Sequence, residues 1–571
     1  MNLDPITAEV IRHALETIVE EMRVSLRRTA YSVVVKDLLD FSCGLFDTRG
    51  RLLACSIDIP SLLASMAPAL RSCIERWGDE IYPGDVFLNN HPYRGNAHTN
   101  DINVFFPCFD NQGRLIGFAG AVCHHADVGG RVPGTASASN QSVFEEGVMY
   151  PPIKLEERGV PNQSVYDILF ANVRHPNQNR GDLRAQMASA RSGERRLRRL
   201  AEQYGSELLI ETGQSLLDYS SKRTRAIIET MPNGIYTAEG FLDDDGLHEG
   251  QPLVIKVAVT ILGSKLTVDF SGSAPQMLGG GNCPMATTLS VAHYGVKCIL
   301  PEDIPFNEGS LDPIDIIAPK GSIVNPCFPA AVGDRHHTSQ RMADVLTRAL
   351  AQIIPERTSA GWFSGVPATI VESVSNKTGE TSVLLSIIGG GAGAAANHDG
   401  GDGMDPHMSN CALISAEVIE STYPLRIERY ALLQDSGGAG KHRGGLGICL
   451  DLRILEKGPK LVRVETEQAI EMFGAPGLNG GLAGAPATVY LLREGENITL
   501  PAKGACEVHV GDVISVRAGG GGGFGNPVER TREDVIEDVQ SGKVSLDAAR
   551  FIYRLLDSPH SNIFTKEIWS N

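Results

Sequence analysis

The sequence predicts an α+β protein, a large mixed fold in which N- and C-terminal helices flank strand-rich, glycine-rich middle segments. Three observations predict it. Apolar residues recur at three- and four-residue steps near both ends, and short apolar runs broken by polar and glycine turns fill the stretches between. The 62 glycines among 571 residues concentrate late, at 389–403, 437–447, 474–484 and 519–525, with no fixed period that would make a solenoid.

Asp4 before Pro5 starts a helix, since Asp accepts from orphan amides and Pro at the first helical position gives up no needed hydrogen bond. Ile6, Val10, Ile11, Ala14, Leu15, Ile18, Val19 and Met22 then form one core-facing stripe. Residues 41–56 read as a hairpin turned at Asp47 to Gly50, and residues 104–122 as a second turned at Asp110 to Gly113. Tyr166 to about Thr230 is helical by periodicity and closes at Pro232-Asn233-Gly234. Residues 235–275 read as strands with a Gly263-Ser264 turn, followed by a helix-friendly run from Ala286 to Leu300 and a proline-rich passage through Pro329. AEVIES (416–421) and VISVRA (513–518) read as strands between the glycine segments, so those glycines mark turns and close backbone approaches and not linkers. REDVIEDVQSG (532–542) and SLDAARFIYRLL (545–556) close the chain as a helix pair, with Glu533 and Asp534 complementing the helix dipole. Soft boundaries divide the chain at 1–232, 233–410, 411–527 and 528–571, with one continuous domain as the alternative.

Composition excludes several classes. A net charge of -17 repels phosphate backbones, and the basic run from Arg191 to Arg199 reads as the solvated face of an amphipathic helix, so no nucleic-acid partner is expected. No apolar stretch approaches eighteen residues, which argues against a membrane partner or span. Met1 to Met22 shows no basic region leading into an apolar one, so a cytoplasmic protein is expected. Eleven cysteines, an odd number without C-x-x-C, fit reduced thiols.

The densest group of metal-competent side chains lies in NNHPYRGNAHTNDI (89–102) and CHHADVGG (123–130). His98 and Asp101 sit three apart, as do His124 and Asp127, with His91 and His125 as further imidazoles. Two such steps could turn nitrogen and oxygen donors toward one ion, and a mixed set suits zinc, manganese or iron. A cation there lowers the pKa of a water and polarises a substrate oxygen. The same spacing also fits histidines that only satisfy loops, so spacing proposes the site and no more. Asp334-Arg335-His336-His337 and Asn397-His398-Asp399, with Asp402, Asp405 and His407, are second-rank candidates for substrate contact beside glycine-rich sequence.

Nucleotide and nucleophile motifs fail. Gly440-Lys441 is followed by His442 and Gly542-Lys543 by Val544, so no P-loop exists. Gly520, Gly522 and Gly525 fit G-x-G-x-x-G, but Pro527 interrupts the helix start and too little chain remains for a βαβ unit. No G-x-S-x-G elbow occurs, and Cys123 and His124, adjacent on a strand, point to opposite faces.

These segments, together with KDLLDFSCGLFDTRGRLLA (36–54), GGGNCP (279–284), DIPFNEGS (303–310), GSIVNPCFPAAVGDR (321–335), ERYALLQDSGGAGKHRGGLG (428–447) and AGGGGGFGNP (518–527), resemble the B-type family of N-methylhydantoinase, 5-oxoprolinase and caprolactamase. More distantly they resemble subunits of acetone and acetophenone carboxylases. The resemblance covers nearly the whole chain. It implies a single divalent metal (zinc, manganese or iron) on Asp40, His98, Asp101 and His124, with His124 also in the catalytic set and His125 and Asp127 orienting ligands or shuttling protons. One departure concerns His91 in Asn90-His91-Pro92-Tyr93, where the family commonly has Asp. The resemblance further implies an A-type partner of actin-like ATPase fold that uses ATP with magnesium to phosphorylate a cyclic amide, in a heterotetramer. The alternatives are a subunit of an ATP-dependent ketone carboxylase and a non-catalytic scaffold that activates its partner.

Overall fold

The computed structural model describes residues 4–555 apart from 57, 375, 378, 380, 456, 457 and 460. The last residue expected in the second closing helix, Leu556, and the rest of the segment to 571 lie outside the described residues, as do 1–3. Helices and four sheets together make the expected α+β fold.

The first sheet holds β1 (Phe41–Phe46), β2 (Leu52–Cys55), β3 (Val86–Asn89), β4 (Asp101–Phe109), β5 (Leu115–His124), β6 (Ile153–Glu157) and β7 (Val160–Pro161) in the order β2-β1-β5-β4-β3-β6-β7. Both expected hairpins are present. The helices α1 (Pro5–Thr29), α2 (Val33–Lys36), α3 (Pro60–Trp77), α4 (Gln163–Ala171), α5 (Pro176–Tyr204) and α6 (Ser206–Glu229) accompany it. Helix α1 starts as predicted, with the Asp4 carboxylate accepting from the Thr7 amide. Its stripe is buried only from Ile11 onward, because the first turns run past the core and leave Ile6 and Val10 exposed.

Strand alternation splits the central sheet residues between two cores. Cys43, Leu45, Val104, Ala121 and Cys123 pack with α1 and α5, whereas Phe46, Phe105, Phe118 and Val122 pack with α3. Burying such a side chain fully is worth about 1.5–3 kcal/mol, which is why these strands are apolar on both faces.

The second sheet, β8 (Gly234–Leu242), β9 (Leu253–Leu262), β10 (Lys265–Asp269) and β11 (Ile314–Ile317), is covered by α7 (Met285–Ile299) and α8 (Arg335–Leu350). Helix α8 was not foreseen from the sequence, although Met342, Val345, Leu346, Ala349 and Leu350 bury one stripe at helical spacing. Two further sheets interleave along the chain. One takes β12 (Ala368–Val374), β13 (Thr381–Ile387), β16 (Leu461–Glu465) and β19 (Lys503–Glu507); the other takes β14 (Leu425–Leu432), β15 (Ile448–Ile454), β17 (Thr488–Arg493), β18 (Glu496–Leu500) and β20 (Val513–Arg517). The third sheet thus draws strands from both sides of residue 410. AEVIES does not form a strand: it is helix α9 (Ala416–Thr422), because the Ser415 side chain caps it at the Val418 amide and Glu417 sits in the first turn. The chain ends in α10 (Arg532–Gln540) and α11 (Leu546–Phe551).

The late glycine segments pair with one another by backbone hydrogen bonds, Gly391 to Gly519, Gly438 to Gly521 and Gly521 to Gly445 at 2.8–3.0 Å. A Cβ on Gly521 would lie 1.9 Å from the carbonyl oxygen of Ala392, so main chain meets main chain with no space for a side chain. Among the described residues no helix is long and apolar enough to cross a membrane.

Candidate metal centre

Sheet register builds the site. Phe41 of β1 pairs with Cys123 of β5, and Asp101 of β4 pairs with His124. The His124 amide donates to the Asp40 carbonyl at 3.0 Å. Asp40, His124 and Asp101 therefore stand side by side at one end of three neighbouring strands, and all three share the parity of the face that packs on α3.

Local structure fixes each donor. The Asp182 carboxylate of α5 accepts the amides of Tyr31 and Ser32 and so anchors the start of α2, after which Leu39 at φ 63° turns the chain so that Asp40 enters β1. His98 comes from the turn before β4, where the Asn96 side chain donates to the carbonyls of His98 and Asp101. His98 Nδ1 lies 3.1 Å from the Gly333 carbonyl, which can only accept, so Nε2 is left to face the cluster with a lone pair.

The donor atoms converge. His98 Nε2 is 3.0 Å from Asp101 Oδ1 and 3.1 Å from His124 Nδ1; His124 Nδ1 is 3.3 Å from Asp101 Oδ1 and 3.7 Å from Asp40 Oδ2. Ligands held about 2.1 Å from a tetrahedral cation are separated by about 3.4 Å, close to the 3.0–3.3 Å separations among His98, Asp101 and His124, with Asp40 standing beside His124 at the edge of that group. The set is two imidazole nitrogens and two carboxylates, which suits a divalent transition metal. The residues fit the group that the resemblance implies.

Electrostatics agree with an anionic cradle. Burial pushes the Asp40 carboxyl up to about 6, Asp101 adding to the rise and His124 and Arg335 opposing it. Burial also pushes His98 down to about 4, helped by Arg335, so its ring is neutral and able to ligate. Burial would raise Asp101, but His98 and Arg335 outweigh it and hold the carboxyl well below the usual range. Arg335 Nη2 reaches Asp101 Oδ2 at 2.8 Å, with both side chains buried.

The cluster opens into a cavity with polar and apolar walls. Arg335, His336 and Glu465 lie on the polar side, and Ala368, Ile370, Leu385 and Ile387 of β12 and β13 form the apolar one. Sequence reasoning placed Asp334 to His337 only as second-rank contacts; the structure puts Asp334, Arg335 and His336 in this cavity, at the N-terminus of α8. The signal that could have located them was Asp334 as a helix cap ahead of an apolar stripe.

Other expected site residues go elsewhere. His125 has the opposite parity to His124 and sits against α5, 3.4 Å from Gln186 Oε1. Asp127 is buried in an ion pair with Arg174 at 2.7 Å and accepts the Gly129 amide, so it braces a loop and does not line the cavity. The first H-x-x-D step delivers both of its residues to the cluster and the second delivers only His124. Cys123 packs in the apolar core, where burial raises its thiol well above the ordinary value. His91 caps a turn, its Nδ1 accepting the Tyr93 amide as an aspartate at that position would, and its ring contacts Tyr93 and Phe328 away from the cavity. Asp399 and Asp402 pair with Arg530 and Arg443, and His407 lies between Trp362 and Tyr294. Asn397 and His398 are exposed, and Asp405 accepts the amides of Asn410 and Cys411; none of these six lines the cavity.

Known proteins share this chain's sequence and architecture. The family described as Hydantoinase B/oxoprolinase matches residues 4–527. A protein of Pseudomonas sp. (strain NS671), described as the B-type subunit of a D-/L-hydantoinase, is 34% identical over 570 residues, covering 96% of this chain and 95% of that protein. The beta chain of the caprolactamase of Pseudomonas jessenii is 32% identical over 560 residues, covering 96% of each. The crystal structure of the ATP-dependent caprolactamase from that organism superposes with a TM-score of 0.88 at 29% identity, covering 97% of this chain and 96% of that one. A nucleotide-free acetone carboxylase shares the fold, with a TM-score of 0.88 at 20% identity over 96% of this chain and 79% of that one. On this evidence the chain belongs to the hydantoinase B/oxoprolinase family.

Proposed function

We propose that this chain is the B-type subunit of an ATP-dependent hydrolase of cyclic amides, opening a hydantoin, lactam or oxoproline-like ring. An A-type partner of actin-like fold binds ATP with magnesium, phosphorylates the amide oxygen and so removes the resonance that protects the carbonyl; the two proteins assemble as a heterotetramer. The observation that supports this reading above others is the cluster of His98, Asp101 and His124, with Asp40 beside His124, at the edge of one cavity in a chain of this family.

Those four residues would hold one zinc, manganese or iron, and the ion, when bound, supplies Lewis acidity for an oxygen and acidifies a water. The chain's own groups do the rest. Arg335 keeps Asp101 ionised and fixed. The Gly333 carbonyl holds His98 in the ligating tautomer. Ile370, Leu385 and Ile387 receive the hydrocarbon part of the ring and keep bulk water from the activated carbon, where an activated ester would otherwise hydrolyse outside control. His125 and Asp127, turned toward α5 and Arg174, act on the site through the fold.

The test is co-expression with the A-type partner and an ATP-dependent screen of hydantoins, lactams and ketones. Ring opening that needs both proteins and ATP, and that is lost in His98→Ala, is expected. Bicarbonate-dependent consumption of ketones with no ring opening would move the assignment to a carboxylase subunit, and full activity in His98→Ala would leave only a scaffold.

A further inference from the structure

We propose that Asp334, His336 and His337 form a second transition-metal site on the wall of the same cavity, separate from the four donors at the sheet end. The proposal does not depend on the reaction assigned above.

The geometry comes first. Successive side chains on an α-helix diverge by about 100°, yet the rings of His336 and His337 lie with centroids 3.9 Å apart and planes 40° from parallel. Both turn to the carboxylate of Asp334, the residue just before α8, which accepts none of that helix's amides. His337 Nδ1 is 3.1 Å from Asp334 Oδ2, and His336 Nδ1 is 3.5 Å from Asp334 Oδ1. One donor atom from each residue lies within 4.8 Å of the other two, a property shared among the described residues only with His98, Asp101 and His124.

The second observation is what this group leaves unsatisfied. The side chains of Asp334 and His337 are 3% and 2% exposed. Asp334 Oδ1 and the Nε2 atoms of both histidines are buried without a hydrogen bond, and so is Oε2 of Glu465. Nearly all buried polar atoms in folded proteins are paired, so four orphans around one wall mark a place where something binds. Asp334, His336 and Glu465 all face the cavity.

Charge favours a cation there. Lys503 is already engaged by Glu467 and Asp244, and Arg463 meets Glu465 at 3.4 Å, so the groups that meet the Asp334 carboxylate directly are the two imidazoles. The N-terminus of α8 opposes a cation with about half a unit charge; the full charge of a carboxylate at hydrogen-bond distance is larger. Two imidazoles with one or two carboxylates suit zinc, manganese, iron or cobalt, whereas magnesium and calcium prefer all-oxygen sets. Arg335, the residue after Asp334, reaches across to Asp101, so one guanidinium stands between the two anionic groups.

The experiment titrates the full chain, stripped of metal with a chelator, with cobalt(II), reading bound equivalents after desalting and the visible absorption of the bound ion. Two equivalents are expected in the wild type, one in His336→Gln, one in His98→Gln and none in the double variant. Asp334→Asn, nearly isosteric, serves if His336→Gln fails to give the wild-type circular dichroism spectrum. A single equivalent in the wild type that survives His336→Gln and disappears in His98→Gln overturns the second site and leaves the first standing. A single equivalent that survives His98→Gln and disappears in His336→Gln supports the second site and removes the first. No bound cobalt in the wild type overturns both and leaves the Asp334 group a hydrogen-bonded network filled by water.

Discussion

His98 Nε2 lies 3.1 Å from His124 Nδ1, and the other nitrogen of His98 is committed to the Gly333 carbonyl. Two ring nitrogens at that spacing are not stable as facing lone pairs: they share either a proton or a cation. With Asp101 Oδ1 3.0 and 3.3 Å from the two nitrogens, a cation satisfies three groups where one proton satisfies two, and Asp40, 3.7 Å from His124, stands next to them.

The first prediction follows from that contact. His98→Ala and Asp101→Asn lose the ion of the sheet-end centre, measured by elemental analysis. Turnover in the presence of the A-type partner falls about 100-fold or more, as removal of a ligand or its orienting group commonly causes. Chelation of the wild type lowers its melting temperature, because a ligand at a thousand times its Kd contributes about 4 kcal/mol to the folded state.

Arg335→Leu isolates the charge balance. Asp101 has no exposed surface and the Arg335 side chain is 6% exposed, so removing the guanidinium leaves a buried carboxylate short of a counter-charge. A loss of about 3–5 kcal/mol is expected in the metal-free protein. The loss shrinks when metal is bound, and urea melts with and without metal measure the difference.

Asp127→Asn separates bracing from chemistry. Its carboxylate is fully buried against Arg174, so stability falls by about 2–4 kcal/mol. Metal content stays at the wild-type value, because the side chain does not reach the cluster. Loss of metal in a variant with a wild-type circular dichroism spectrum would contradict the placement.

Glu146 predicts a pH dependence. Burial pushes its carboxyl up to about 8, against the opposing amides of Gly333 and Val332. A folded value above the unfolded one means the native state binds the proton more tightly, so this contribution is complete below about 4.5 and is lost as pH rises toward 8. Glu146→Gln removes that slope, seen as a flatter plot of unfolding free energy between about pH 5 and pH 8 at fixed metal concentration.

Gly521→Ala tests the glycine bundle. Its Cβ would stand 1.9 Å from the Ala392 oxygen and 2.3 Å from its carbon, both main-chain atoms that cannot step aside, so a loss above about 4 kcal/mol or insoluble protein is expected. Gly504→Ala, whose Cβ meets nothing within 4 Å, changes stability by less than about 1 kcal/mol. Chemical denaturation of the pair gives the comparison.

Much of the frame is legible before folding. Asp4-Pro5, the Asp47 and Asp110 turns and the Gly263 hairpin are local signals, and each lies where the chain says it should. The misreadings have physical causes. AEVIES looks like a strand because Val418 and Ile419 sit together in a short window between glycine-rich segments, but a capping serine decides for helix. His125 and Asp127 sit beside a ligand in sequence, yet parity sends His125 to the far face and Arg174, from a distant segment, claims Asp127. Asp334 and Arg335 close one of the family-like segments but have no ligand spacing to the sheet-end residues, and the packing of α8 against the second sheet is what brings them and His336 to the cavity.

The cavity is assembled from segments far apart in order of synthesis. All four donors of the sheet-end centre have left the ribosome once His124 is free, but the apolar wall begins at Ala368 and Glu465 comes later still. At roughly 5–20 residues per second that gap is tens of seconds of translation. During that interval the nascent chain would carry the four proposed ligands with no wall over them, so a cation bound then would be selected by cellular supply and not by the finished pocket.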